Sequence, residues 1–238
     1  PSPKPHAPCP QPHAPSPTPH APIKFLPMQK QTVWLNPKFR PVQNAPAIFA
    51  DRDGTLLQHV DYLGDPARVS LLPGVKDALQ KILGCGAAFF LLTNQSGVGR
   101  GYFSLDAVFQ CHQRMFQLLG TSVHQIAGYC IAPGLPGSDD PYRKPSPRFI
   151  QEALSFFHLA KTNAHMIGDT EVDLETAQNA DVNAWLVGNG KPQAVEAHQA
   201  DKLHHNYVYK PNFPACIEAI LHRPSSISSR SEPEPVEG

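Results

Sequence analysis

The sequence predicts an α/β protein built on a doubly wound parallel sheet, and three observations carry that prediction. Short apolar runs of strand type alternate with segments whose apolar residues recur at the helical period. Three of those runs end in polar residues that no core would accept. The hydrophobic fraction is 41% of 238 residues, enough for one sizeable core, and strands alternating with helices at these lengths imply a sheet covered on both faces.

The elements follow in order. Ala47-Ile48-Phe49-Ala50 reads as a strand. Val75, Ala78, Leu79, Ile82 and Leu83 then share one helical face, closed by Gly84. Ala87 to Leu92 is a second strand. Ser104 caps a helix whose apolar face is Leu105, Val108, Phe109, Met115, Phe116 and Leu119, ended by Gly120. Ile126 to Cys130 is a third strand; Ser146-Pro147 then reads as N-cap and first helical position before Phe149, Ile150, Ala153, Leu154 and Phe157. Ala164 to Ile167 is a fourth strand, Glu171 to Ala180 a helix, and Val182 to Val187 a fifth strand.

The ends of the chain read differently. Of 27 prolines, about twice average usage, ten fall in Pro1 to Pro22, where Pro-His-Ala-Pro repeats from Pro5, Pro12 and Pro19. A segment with so little apolar bulk cannot offset the entropy of ordering, so an extended, unstructured tail is expected over 1–22, with His6, His13 and His20 held in no coordination geometry. A second such tail is expected over 223–238, rich in Ser, Pro and Glu, leaving one domain over 23–222.

Twenty Lys+Arg balance twenty Asp+Glu, which excludes an obviously basic nucleic-acid binder. The longest apolar stretch, Ala87 to Leu92, is far below the roughly 20 residues that cross a bilayer. Cys9, Cys85, Cys111, Cys130 and Cys216 form no C-x-x-C pair and fit a reducing compartment. A soluble, cytoplasmic monomer with no membrane or nucleic-acid partner is expected.

The chemistry lies at the strand ends. Ala50 is followed by Asp51-Arg52-Asp53-Gly54-Thr55, Leu92 by Thr93-Asn94-Gln95-Ser96-Gly97, and Ile167 by Gly168-Asp169-Thr170. In a doubly wound sheet the carboxyl ends of the strands open into one crevice, so the three groups should converge there. Asp51, Asp53 and Asp169 would repel one another unless a cation sat between them, and hard oxygen donors select Mg²⁺. Thr93 and Asn94, with Lys144 from Arg143-Lys144-Pro145, supply the donors a phosphoryl group requires. Asp-x-Asp-Gly alone also resembles a calcium loop, but an EF-hand puts its glycine after a third ligand position and no flanking helix precedes Asp51. Asp173 fits a capping box with Thr170 as well as it fits a place behind the metal.

This ordered set resembles the haloacid dehalogenase superfamily of phosphohydrolases: Asp51-x-Asp53-Gly54-Thr55 matches its first motif, Thr93 its second, Lys144 its third, and Gly168-Asp169-x-x-x-Asp173 its fourth. More narrowly, Asp51 to Gly54, Thr93 to Gly97 with Arg100-Gly101-Tyr102-Phe103, and Arg143-Lys144-Pro145 resemble the family of heptose bisphosphate and histidinol phosphatases, over about Ala47 to Gly188. The resemblance implies a Rossmann-like core with small flap and loop insertions and no large cap domain. It implies Asp51 as nucleophile, Asp53 as acid and base, and Thr93 and Lys144 as holders of the phosphoryl group. Mg²⁺ would be held by Asp51, the Asp53 carbonyl and Asp169, with Asp173 behind them. Substrate contacts would come from Arg52, His59, Tyr62, Asn94, Gln95, Ser96 and Arg143.

The sequence departs from these relatives at one place. They carry zinc on Cys-x-His and Cys-x-Cys before Arg-Lys-Pro, whereas here Cys130-Ile131-Ala132 and Asp140-Pro141-Tyr142 keep one of four ligands, so zinc is not expected. Pro133, Pro136 and Pro141 are expected to fix the loop instead.

A Mg²⁺-dependent sugar-phosphate phosphatase is therefore expected, with the 7-phosphate of a heptose bisphosphate as substrate. Histidinol phosphate is an alternative. A polynucleotide 3′-phosphatase would match Tyr142 to Pro145, but zero net charge and the lack of a G-x-x-x-x-G-K-[ST] element argue against it. A non-catalytic scaffold docking its Pro-rich tail in an SH3-like groove would not need every catalytic residue that is present.

Overall fold

A computed structural model describes residues 31–189 and 206–222. Both expected tails, and the start of the expected domain at 23–30, lie outside the described residues. In chain order the elements are β1 (Val33–Leu35), β2 (Ala47–Ala50), α1 (Val75–Gly84), β3 (Ala88–Asn94), α2 (Ser96–Gly99), α3 (Leu105–Leu119), β4 (Gly128–Ala132), α4 (Arg148–Phe157), β5 (Ala164–Gly168), α5 (Glu171–Ala180), β6 (Asn183–Val187), β7 (Val208–Lys210) and α6 (Phe213–Leu221).

Seven strands form one sheet in the order β1-β4-β3-β2-β5-β6-β7. All neighbours run parallel except β1, which pairs antiparallel to β4 through Val33 and Cys130, Trp34 and Tyr129, Leu35 and Gly128. The wholly parallel sheet expected from sequence is thus corrected at one edge. Three residues are too few to show a period, and an antiparallel partner needs no crossover helix to announce it.

Side chains alternate across the sheet. Ile48, Ala50, Phe89, Leu91, Tyr129, Ile131, Ile167, Trp185 and Val187 face a core closed by α1, α3 and α6. Ala47, Phe49, Ala88, Phe90, Leu92, Cys130, Ala164, Met166 and Leu186 face a second core closed by α4 and α5. Phe49 and Phe90 stack at 4.4 Å in the second. Burial on both faces explains why the strands read as unbroken apolar runs.

Helix ends follow local chemistry. The Ser104 hydroxyl accepts from the Ala107 N–H at 3.2 Å, and Gly120 ends α3 in the left-handed conformation. In α4 the expected start shifts by one residue. Pro147 takes the cap position with helical φ, while the Ser146 hydroxyl accepts from the Arg148 N–H. The third strand also shifts, from Ile126–Cys130 to Gly128–Ala132, because pairing with β3 runs from Phe90 and Gly128 to Asn94 and Ala132. That moves the end of β4 to the mouth of the crevice. β7 and α6 were not visible as periods, although Asn212, whose side chain accepts from the Ala215 N–H, with Pro214 in the first turn is a start signal for α6.

After β2 the chain makes a small flap. The Gln58 N–H donates to Ser70 and the Leu72 N–H to Leu56, drawing two short arms together, with Leu56, Leu57, Leu63 and Val69 buried beneath. Among the described residues no larger cap covers the sheet, and no helix is long and apolar enough to cross a membrane.

Candidate active site

The three polar groups do converge at the carboxyl end of the sheet. β2 lies between β3 and β5, and the Asp51 N–H donates to the Ile167 carbonyl at 2.9 Å, which ties the first group to the third. Carboxylate oxygens of Asp51, Asp169 and Asp173, all buried, lie within 4.8 Å of one another. The Lys144 ammonium donates to Asp51 at 2.5 Å and to Asp173 at 2.6 Å, so one enclosed cation bridges two of the three. Asn94 delivers it. Its side-chain oxygen accepts from the Lys144 N–H at 2.9 Å and its amide donates to the Lys144 carbonyl at 3.1 Å.

Asp173 fills the capping-box role and also pairs with Lys144. One of its oxygens accepts from the Thr170 N–H and hydroxyl, completing the capping box of α5; the other takes the Lys144 ion pair. Gly168 is obligatory, because a Cβ there would collide with the Asp173 carboxylate.

Electrostatics at this floor are one-sided. Burial, with Asp173, Asp169 and Asp53 adding to it and Lys144 opposing, raises the Asp51 carboxyl to about 8. Burial disfavours the Lys144 ammonium too, yet Asp173 and Asp51 more than offset that and hold it above the ordinary lysine value. Three acidic groups against one cation leave a deficit of positive charge, and hard oxygen donors of this kind fit a divalent cation.

Thr93, at the end of β3, is fully buried, and its hydroxyl oxygen accepts from Gln95 Nε2 at 2.9 Å. The same amide donates to Asp53 Oδ2 at 2.9 Å. Arg52 departs from its expected substrate contact: it is 0% exposed, and its Nε and Nη2 donate to Asp53 Oδ2 at 3.1 and 2.8 Å. Asn94 likewise spends its amide on Lys144, and Gln95 spends its own on Asp53 and Thr93. Ser96 is half-buried at the start of α2.

The rim holds the remaining residues. His59 is exposed and pairs with Asp61 at 3.1 Å. Tyr62, at a positive φ of 51°, meets Tyr102 edge-on at 4.7 Å, with the Arg100 guanidinium 6.0 Å from the Tyr62 ring. Arg100 and Tyr102 were not singled out as site residues from sequence. Their signal was their position just past the second polar group, on a turn that returns them to the mouth.

The 133–143 loop is cross-linked by protein groups. The Asp140 carboxylate accepts from the Gly134 N–H at 2.9 Å and the Tyr142 N–H at 3.1 Å, while Arg143 donates to the Gly134 carbonyl at 2.9 Å. Tyr142 then anchors the loop to α4, donating to Glu152 at 3.0 Å under the Arg148 guanidinium. Cys130 sits inside β4, where burial, with Asp140 and Glu152 and against Lys144, raises its thiol far above the ordinary value. The Cys130 thiol is thus enclosed in a strand and the Asp140 carboxylate accepts from two N–H groups. Beside the prolines expected to fix the loop, the Asp140 carboxylate closes it.

Residues 141–213 match the HAD-hydrolase-like family. The chain is 34% identical over 144 residues to a protein of Rhodopseudomonas palustris named D-glycero-beta-D-manno-heptose-1,7-bisphosphate 7-phosphatase, covering 58% of this chain and 80% of that one. It is 32% identical over 166 residues to the protein of that name in Salmonella typhi, covering 66% and 88%. The chain belongs to the HAD-like phosphatases of the heptose bisphosphate phosphatase family. Among solved structures, D,D-heptose 1,7-bisphosphate phosphatase from B. bronchiseptica, complexed with magnesium and phosphate, is similar at a TM-score of 0.64 and 26% identity, over 74% of this chain and 98% of that one. The enzyme described here is a phosphatase.

Proposed function

We propose that this phosphatase is a Mg²⁺-dependent phosphomonoesterase that works through an aspartyl-phosphate on Asp51 and removes the 7-phosphate of D-glycero-D-manno-heptose 1,7-bisphosphate. The observation that carries this reading is the enclosed Asp51–Lys144–Asp173 bridge beside Asp169. The names of the relatives supply the substrate.

Asp51, Asp169 and the Asp53 carbonyl would hold the cation, which supplies the positive charge that lets a carboxylate approach a phosphate. Asp51 attacks phosphorus, and the bond to the leaving oxygen breaks as Asp53 protonates that oxygen. Asp53 then takes a proton from the water that attacks the aspartyl-phosphate. The Thr93 oxygen already accepts from Gln95, so its own hydrogen is available to a phosphoryl oxygen. Lys144, drawn between Asp51 and Asp173, is positioned to meet the transferred group as a point charge.

Partial burial, opposed by Asp140 and aided by Arg100, lowers Arg143 from the ordinary arginine value. Zinc has no part in this reading, since Asp140 closes the loop.

The test is phosphate release, with Mg²⁺, from heptose 1,7-bisphosphate, histidinol phosphate and a 3′-phosphorylated oligonucleotide. Highest kcat/KM on the heptose is expected; a preference for either of the others would replace the substrate while leaving the chemistry at Asp51 in place.

A further inference from the structure

Asp53 is held in an unequal way. Three N–H donors converge on one of its oxygens: Arg52 Nε at 3.1 Å, Arg52 Nη2 at 2.8 Å and Gln95 Nε2 at 2.9 Å, all on Oδ2. None reaches Oδ1, which is buried without a hydrogen-bond partner among the described residues. Arg52 is 0% and Gln95 4% exposed, so neither donor is diverted by solvent. Gln95 is itself fixed through Thr93, and the Arg52 backbone is pinned because its carbonyl accepts from the Leu56 and Leu57 N–H groups.

A carboxyl oxygen that faces three donors has no lone pair to spare and would aim any O–H at N–H groups. The other oxygen carries no such penalty. We propose that Arg52 and Gln95 are positioning residues that lock the Asp53 carboxyl so that Oδ1 is the oxygen that carries the proton in catalysis. This rests on the acid–base reading of Asp53 given above. In the first step the Oδ1–H bond breaks and the hydrogen passes to the leaving oxygen, which takes the electron pair of its bond to phosphorus as the Asp51 oxygen–phosphorus bond forms. In the second, a water hydrogen passes to Oδ1 while the water oxygen attacks phosphorus and the Asp51 oxygen–phosphorus bond breaks. Without the lock the carboxyl rotates, and proton transfer loses the alignment on which it depends.

The lock is separable from a structural role by the leaving group. An alkoxide must be protonated as it departs, whereas p-nitrophenolate need not be. Single-turnover release of the leaving group is measured for an alkyl phosphate and for p-nitrophenyl phosphate, with Gln95→Met, Arg52→Met, Arg52→Lys and Asp53→Asn. In a folded Gln95→Met protein, alkyl release should fall about tenfold to hundredfold more than aryl release, a fraction of the 10²–10⁴ of full acid catalysis, since loosening of Thr93, which Gln95 also holds, slows both leaving groups alike. Arg52→Lys, which retains a cationic donor, should recover part of what Arg52→Met loses. Equal slowing of both leaving groups, or no slowing of either, in a folded Gln95→Met protein whose Asp53→Asn counterpart slows only the alkyl substrate would overturn the positioning role alone. If Asp53→Asn itself spares the alkyl substrate, the acid–base reading falls and the proposal with it.

Discussion

At the floor of the crevice Lys144 is enclosed between Asp51 and Asp173, while at the rim Asp140 and Arg143 hold the 133–143 loop from half-exposed positions and Tyr62 and Tyr102 stand 49% and 60% exposed. Both regions are polar. They differ in what a lost partner costs. A charge buried without its partner is penalised by several kcal/mol, whereas a partly solvated hydrogen bond is replaced by water at small cost. The floor is therefore expected to tolerate almost nothing and the rim to tolerate exchange.

The largest expected effect tests the floor. Lys144→Met leaves Asp51 and Asp173 facing one another, so activity should be lost and stability should drop by about 3–5 kcal/mol in urea titration. A fully stable Lys144→Met protein would show that the bridge is not what holds the floor. Next is Asp53→Asn, whose amide cannot move a proton. Turnover should fall by about 10² to 10⁴, and the unfolding midpoint should also drop, because the buried Arg52 guanidinium loses the charge of its carboxylate partner.

At the rim, Asp140→Ala removes the acceptor of two backbone N–H groups and frees Arg143 from its anchored loop. KM for the sugar phosphate should rise about threefold to tenfold, or roughly 0.7–1.4 kcal/mol of binding, with kcat little changed. A collapse of kcat would mean that the loop acts on the floor as well. The smallest effect is expected from a zinc chelator that spares Mg²⁺: activity should be unchanged, and loss of activity together with release of one zinc per chain would show that a metal, and not Asp140, orders the loop.

The same division explains what could be read from the chain alone. The floor was legible because its residues interrupt strong apolar runs: Asp51, Thr93 and Asp169 stand where β2, β3 and β5 leave the core, and the fold brings strand ends together whatever the loops do. The core helices were legible by period, since α1, α3 and α4 each turn one apolar face to the sheet. The short edge strands β1 and β7 carry three residues each and announce no period. Side-chain commitments were also hidden. That Arg52 turns inward to Asp53, and that Asn94 holds the backbone of Lys144 50 residues away, follows from tertiary placement and not from spacing. The loop closure by Asp140 was concealed by its prolines, which looked sufficient without it.

The account stands or falls on Asp51 as the nucleophile. Wild-type enzyme turning over the heptose bisphosphate in Mg²⁺ is quenched in acid, reduced with borohydride, which converts an acyl phosphate to the alcohol, and mapped by peptide mass spectrometry. Homoserine at position 51 is expected, absent without substrate and absent in a folded Asp51→Asn protein that releases no phosphate. An unmodified position 51 under steady turnover, or wild-type-like phosphate release from Asp51→Asn, would contradict it.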